Sequence, residues 1–273
     1  MARITFVTRC DDLGSSISAN QAINAVTQAG FMKNVSVMAP GSFAEQAAES
    51  LAGRKELCFG MHTTLNAEWD RVKWAPVLPL DEKSGLVDEK GYFLADPAIF
   101  EKTRPAVETI MREVDAQLEK LHTVGFDIKY VDSHMFPEMF VEGMDEAMAD
   151  FAKKKGLIDH MYYYNLPPGF ENLQAEPTEI MEALKALPDG QYFFVSHPSL
   201  DTEEMRMTGN AMYSGEDVAK GRALETQLFS NPALAVALRS IGCEGVRYDE
   251  ATPQRRATVT EFRQMFAGPR AAE

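Results

Sequence analysis

The stretch "VTRCDDLGSS" (residues 7–16) closes an apolar run, Ile4-Thr5-Phe6-Val7, with two adjacent carboxylates, then Gly14 and two serines. A short run rich in β-branched and aromatic residues, bounded by Asp and Gly, reads as a buried strand. Two neighbouring Asp side chains repel one another and sit poorly inside a strand, so Asp11 and Asp12 belong at its end. A helix pattern follows at once. It starts near Ser18 as N-cap, carries Ala22, Ile23 and Val26 on one face, and stops at Gly30.

The same unit recurs along the chain. Strands are expected at 4–9, 34–38, 57–62, 128–133, 160–164, 192–196 and 244–248. Helices are expected at 18–30, 43–53, 104–123, 138–156, 177–187, 215–242 (broken at Asn231-Pro232) and 259–266. The clearest, 104–123, repeats Val107, Ile110, Met111, Val114, Leu118 and Leu121 at helical spacing before Gly125. Alternation of strand and helix about seven times means an α/β fold with a mostly parallel sheet, covered on both faces. An open doubly wound sheet and a closed barrel both fit this pattern.

One segment breaks the rhythm. Residues 66–100 carry no clean helix but hold both tryptophans, Trp69 and Trp74, with Pro76, Pro79 and a Gly91-Tyr92-Phe93 turn. So long a loop in a compact domain reads either as a surface insertion with a small hairpin or as a lid or binding loop. Aromatic faces there suit a sugar ring. No repeat or linker divides the chain, so a single catalytic domain over 1–273, with this insertion, is expected.

Composition sets outer bounds. The chain has 273 residues, 27 basic and 41 acidic, for a net charge of −14. Such a balance argues against nucleic acid or an anionic membrane as partner, because both need a positive field. Three cysteines without a CxxC pattern make a poor disulfide framework. Met1-Ala2-Arg3-Ile4 opens no apolar signal segment, so a cytoplasmic setting is expected, with a homodimer as the default assembly.

Function is written at the strand ends. Strand one ends in Asp11-Asp12, strand three in Gly60-Met61-His62, strand four in Asp132-Ser133-His134 and strand six in Ser196-His197-Pro198. Ligand sites of parallel α/β folds gather at these C-terminal ends. Carboxylate and imidazole are suitable ligands for one divalent cation, zinc or magnesium, and two His with one Asp leave positions open for water and substrate. A nearby dication would also offset the repulsion within the Asp pair. Asp132, two residues before His134, shares its strand face and is placed to orient that histidine or another site group. Cys10 reads as a small buried thiol, His122 and His160 as structural, and Met135, Met139, Met144 and Met148 as helix packing.

These motifs resemble the YdjC-like carbohydrate deacetylases, typified by the ChbG chitooligosaccharide deacetylases. The resemblance is carried by "CDDLGSSISANQAI" (10–23), "FGMHTTLN" (59–66), "WAPVLP" with "SGLVDEKGYF" (within 74–93), "YVDSHM" (130–135), "VSHPSLD" (195–201) and the tail at 222–248. It implies a distorted (β/α) barrel of about seven parallel strands, similar in architecture to polysaccharide deacetylases. It implies Asp12, His62 and His134 as metal ligands, with Asp11 as general base and His197 as general acid. The implied activity is hydrolysis of the acetamide of a small N-acetylated sugar or oligosaccharide. Alternatives on the same residues are hydrolysis of a non-sugar amide or ester, or an inactive sugar binder. Leu13, Phe136, Glu138 and Arg9 depart from the family pattern. Arg9 near the pocket mouth points to a different or charged N-acetylated substrate, and Trp69 and Trp74 are expected among the substrate-binding residues.

Overall fold

The computed structural model describes residues 3–168 and 177–266; Met1 and Ala2 of the N-terminal segment read above lie outside them. Among the described residues seven strands form one parallel sheet: β1 Ile4–Leu13, β2 Asn34–Val37, β3 Cys58–Thr63, β4 Ile128–Ser133, β5 Ile158–Asp159, β6 Gly190–Ser196 and β7 Cys243–Val246. The order is β5-β4-β3-β2-β1-β6, with β7 also paired to β1. The first half of β1, at Ile4 to Val7, pairs with β7, and the second half, from Arg9 to Leu13, pairs with β2. β6 runs along its other edge.

The sheet curls towards a barrel but is not closed by strands. Asn165, beyond β5, closes the gap: its carbonyl accepts from Phe193 N at 2.7 Å and its side chain donates to Gln191 O at 2.7 Å. Arg256 forks onto Asp145 and donates to Asp159, tying the C-terminal segment to the β5 side of this gap. The architecture is therefore the distorted (β/α) barrel expected, and strand five is where the reading shifts. Residues 160–162 form a 3-10 turn, not a strand, because Asp159 caps them by accepting from Met161 N.

Helices α1 Ile17–Gln28, α2 Ala44–Leu51, α3 Phe100–Thr103, α4 Val107–Thr123, α5 Met144–Lys155, α6 Pro177–Ala186, α7 Glu203–Arg206, α8 Gly215–Phe229, α9 Pro232–Ser240 and α10 Val259–Phe266 complete the described residues. The break at Asn231-Pro232 is present, with Asn231 capping α9. The cap of α1 is Ser16 rather than Ser18: its Oγ accepts from Ala19 N at 3.0 Å. Among the described residues no helix is long and apolar enough to cross a membrane.

Two packed regions follow from strand alternation. Ile4, Phe6 and Cys10 of β1 face the helices and join the large core with Ile23, Val35 and Leu118. Val7 faces the barrel interior with Cys58, Tyr130, Phe193 and Tyr248. Gly60 is required there: a Cβ on it would lie 2.2 Å from the Tyr130 ring. Burial pushes the Cys58 thiol up to about 12 and the Cys10 thiol well above its ordinary range, as befits packed, inert cysteines.

The 66–100 segment makes short 3-10 turns at Glu82–Ser84 and Pro97–Ile99 and an antiparallel bridge between Val87 and Phe93. It is pinned from below by α4. Glu113 accepts from Val77 N and Leu78 N, both at 2.8 Å, and Gln117 bonds both polar groups of the Thr64 backbone. Both side chains are fully buried. The helical pattern shows the apolar stripe of α4 but not these two polar residues beside it, which answer unpaired backbone groups of a loop.

Candidate metal centre

The residues at the strand ends converge. β3 and β4 are in register at His62 and Asp132, and strict alternation points Gly60 and His62, with Tyr130 and Asp132, into the barrel. Asp11 shares the inward face of β1 with Val7 and Arg9. Alternation alone would turn Asp12 away, onto the face of Cys10. Instead the β1–β2 register slips between Cys10 and Leu13, and Asp12 takes φ 68°. A left-handed non-glycine residue at a bulge re-aims a side chain at the cost of local strain. That irregularity places two consecutive carboxylates in one site.

Three donor atoms face one another. Asp12 Oδ1 lies 3.5 Å from both His62 Nε2 and His134 Nδ1, and those nitrogens are 3.3 Å apart. Ligands at about 2.0–2.1 Å from a tetrahedral zinc ion are themselves about 3.4 Å apart, so this triangle fits one face of such a centre. Asp12 Oδ1 is buried without a hydrogen-bond partner, which a cation would satisfy. Burial works against charge on the two histidines, yet neighbouring carboxylates win. Asp132 and Asp11 raise His62 to about 9, and Glu68 and Asp12 raise His134 to about 10. The cluster thus carries excess negative charge that attracts positive charge in some form. Burial likewise opposes ionisation of Asp12, but Arg222 and the two histidines hold it well below the usual carboxylate range.

The far nitrogen of each histidine is held by a carboxylate. Asp132 Oδ1 sits 2.6 Å from His62 Nδ1, and Glu68 Oε2 sits 2.9 Å from His134 Nε2. Asp132 therefore pairs with His62 and not with its strand neighbour His134. Such partners fix tautomer and ring orientation. Asp12 Oδ2 accepts from Arg222 Nη1 at 2.8 Å. Glu68 lies on the long loop and Arg222 on α8. Neither stands at a strand end, so spacing gave no signal for Glu68; Arg222 falls inside the tail motif but nothing marked it out.

Asp11 and His197 stand beside the triangle. Asp11 Oδ2 is 4.0 Å from His62 Nε2 and 3.9 Å from His197 Nε2. The His197 side chain is 41% exposed, and Glu225 anchors its strand end by accepting from Ser196 Oγ at 2.5 Å and His197 N at 2.7 Å. The cleft above holds about 580 Å³; Trp69, Met135, Tyr164, Leu166 and Tyr213 line it along with the polar set. Met135 and Phe136 both have positive φ, which turns the chain out of β4 towards this opening. Met135 is exposed, unlike the buried Met144 and Met148, so the methionine stretch is only partly helix packing.

Two aromatic and one basic candidate fall in different places. Trp69 borders the cleft. Trp74 is buried beside His134, with Nε1 donating to Asn66 O at 2.6 Å, and lines a smaller cavity of about 170 Å³ that shares Asp12, Trp69 and Arg222. Arg9 is 2% exposed and not at the mouth. Its Nε and Nη2 donate to the two oxygens of Asp11 at 2.6 and 2.7 Å, and its Nη1 is 2.8 Å from Asp132 Oδ2.

The family model for YdjC-like proteins matches residues 6–240. The chain belongs to the YdjC-like family. A relative, the carbohydrate deacetylase of Thermoanaerobacter pseudethanolicus, is 26% identical over 193 residues, covering 69% of this chain and 68% of that one. Among solved structures, a candidate cellobiose-phosphate cleavage protein from Enterococcus faecalis V583 superposes with a TM-score of 0.72 at 18% identity, covering 90% of this chain and 98% of that one. The catalytic domain of a peptidoglycan N-acetylglucosamine deacetylase from Eubacterium rectale ATCC 33656 superposes at 0.53 and 8% identity, covering 95% and 94%. These likenesses show that the chain shares its fold with both structures.

Proposed function

We propose that the protein is a metal-dependent hydrolase that removes the acetyl group from an N-acetylated sugar, as a single catalytic domain in a cytoplasmic setting. The observation that carries this reading is the convergence of Asp12, His62 and His134 on one point with Asp11 and His197 beside it. The carbohydrate deacetylase activity of the Thermoanaerobacter relative supports the substrate class. The three free, buried cysteines suit a reducing compartment.

Asp12, His62 and His134 would hold the ion, with Asp132 and Glu68 orienting the two rings. A divalent cation, zinc or magnesium, would polarise the acetamide carbonyl and acidify a water beside it. Asp11 keeps acceptor capacity although Arg9 binds both its oxygens, because each carboxylate oxygen has two lone pairs. Asp11 Oδ2 takes the proton of the attacking water as general base. His197, on the open side of the cleft, gives a proton to the departing nitrogen as the C–N bond breaks. Acetate and a free amino sugar leave. Trp69 offers an apolar face for the sugar ring, and residues 66–100 form one wall of the cleft.

The experiment is acetate release from a panel of N-acetylated sugars by metal-loaded protein, with a chelated control. Turnover that chelation removes and the ion restores is the expected result. No acetate from any N-acetylated sugar would overturn the substrate class.

A further inference from the structure

Two sets of potential ligands meet at His62. The first is Asp12, His62 and His134; the second is Asp11, His62 and Asp132, with ligand atoms within 4.8 Å of one another and all three residues buried. The second set already holds a cation. The Arg9 guanidinium bridges its two carboxylates through contacts of 2.6, 2.7 and 2.8 Å and lies 5.1 Å above the Phe193 ring. We infer that Arg9 is a built-in cation that fills a second metal site, restricting the centre to one ion and fixing Asp11 for proton transfer.

Charge and geometry both support this. Asp11, Asp12, Asp132 and Glu68 bring four carboxylates to the centre, and Arg9 and Arg222 bring two guanidinium groups. The remaining two negative charges match one dication. A second dication in the presence of Arg9 would lack counter-charge in a buried site and would have to displace a fork hydrogen-bonded to Asp11 through two nitrogens and ion-paired with Asp132 through the third. Arg9 also sets orientation. A bidentate guanidinium fixes the plane of Asp11, and its third nitrogen holds Asp132, which in turn contacts His62. Arg9 lies at the floor of the cleft but is 2% exposed, with its guanidinium taken up by Asp11 and Asp132, so it is a positioning residue rather than a catalytic one.

This inference rests on the metal centre and the role of Asp11 proposed above, and metal counting separates the two. Metal-stripped full-length wild type and Arg9→Ser are loaded with excess zinc, freed of unbound ion by gel filtration, and analysed for zinc per chain. One zinc in wild type and two in Arg9→Ser are expected. One in each overturns the inference and leaves the metal centre standing. Two in wild type overturns it as well, and none in wild type overturns both. If Arg9→Ser unfolds without metal, zinc should restore its cooperative thermal transition. Arg9→Lys, which keeps the charge but loses the fork, is expected to bind one zinc, keep KM and lose about 10²-fold in kcat through misplacement of Asp11. A wild-type kcat in Arg9→Lys refutes the positioning role.

Discussion

The two carboxylates behind the histidines give the sharpest test of the metal centre. Asp132 is fully buried, meets His62 Nδ1 at 2.6 Å, and accepts from Ser36 Oγ at 2.5 Å. The Glu68 side chain is 10% exposed and meets His134 Nε2 at 2.9 Å. Removing such a partner of a metal-binding histidine costs about 10–100-fold in metal affinity, or about 1.4–2.8 kcal/mol at 1.4 per decade. Asp132→Asn keeps the shape but removes the charge that raises His62 basicity, and it takes one of the two carboxylates from Arg9. Being shorter-range and unscreened, it should reach the upper end, near 100-fold. Glu68→Gln, partly open to solvent, should stay near the lower end, about tenfold. The assay is competition with a chromogenic chelator at fixed pH and ionic strength, with unfolding followed in parallel to confirm that both variants are native. Unchanged affinity in Asp132→Asn, or a larger loss in Glu68→Gln, would refute the orientation argument.

Three further outcomes follow from the same geometry. Asp11→Asn should retain the ion yet lose about 10²–10⁴-fold in kcat, the usual contribution of a general base; acetate release and metal content are measured on one preparation. Gly60→Ala drives a methyl into the Tyr130 ring, whose hydroxyl lies 2.8 Å from Ser36 Oγ and whose face lies against Tyr248; denaturant midpoints should show a loss of about 1–3 kcal/mol. His160 is buried among Phe136, Tyr164 and Phe262, and burial lowers its pKa from 6.5 to about 4 despite Asp132. The unfolded chain then binds the proton more readily, so this contribution is complete above about pH 6.5 and is lost as pH falls towards 4, worth about 3 kcal/mol in full; in His160→Phe the drop in unfolding free energy between pH 7 and 4.5 should shrink by about 2 kcal/mol.

Much of the site was legible because alternation in strands is a strong rule. Once residues 128–133 are a strand, Asp132 and His134 share a face at the end where parallel sheets bind ligands, and the β3–β4 register brings His62 onto it. The same parity puts Arg9 on the face of Asp11, and applying it would have shown Arg9 turned inward rather than at the mouth. The short strand five was misplaced by two residues because aromatic and β-branched content cannot tell a strand from the turn that follows it. Glu68, Arg222, Glu113 and Gln117 were not legible at all. Each meets its partner across more than thirty residues of sequence, with the pairing set by how the loop and helices lie over the barrel.

The sequence by itself determined the alternating α/β order, the strand ends that carry chemistry and the YdjC-like membership, because these rest on local periodicity and on motif content. Only the tertiary structure decided how neighbouring Asp11 and Asp12 come to serve one centre. A bulge and a left-handed Asp12 break the alternation that would have separated them, and Arg9 on Asp11 and Arg222 on Asp12 offset their mutual repulsion.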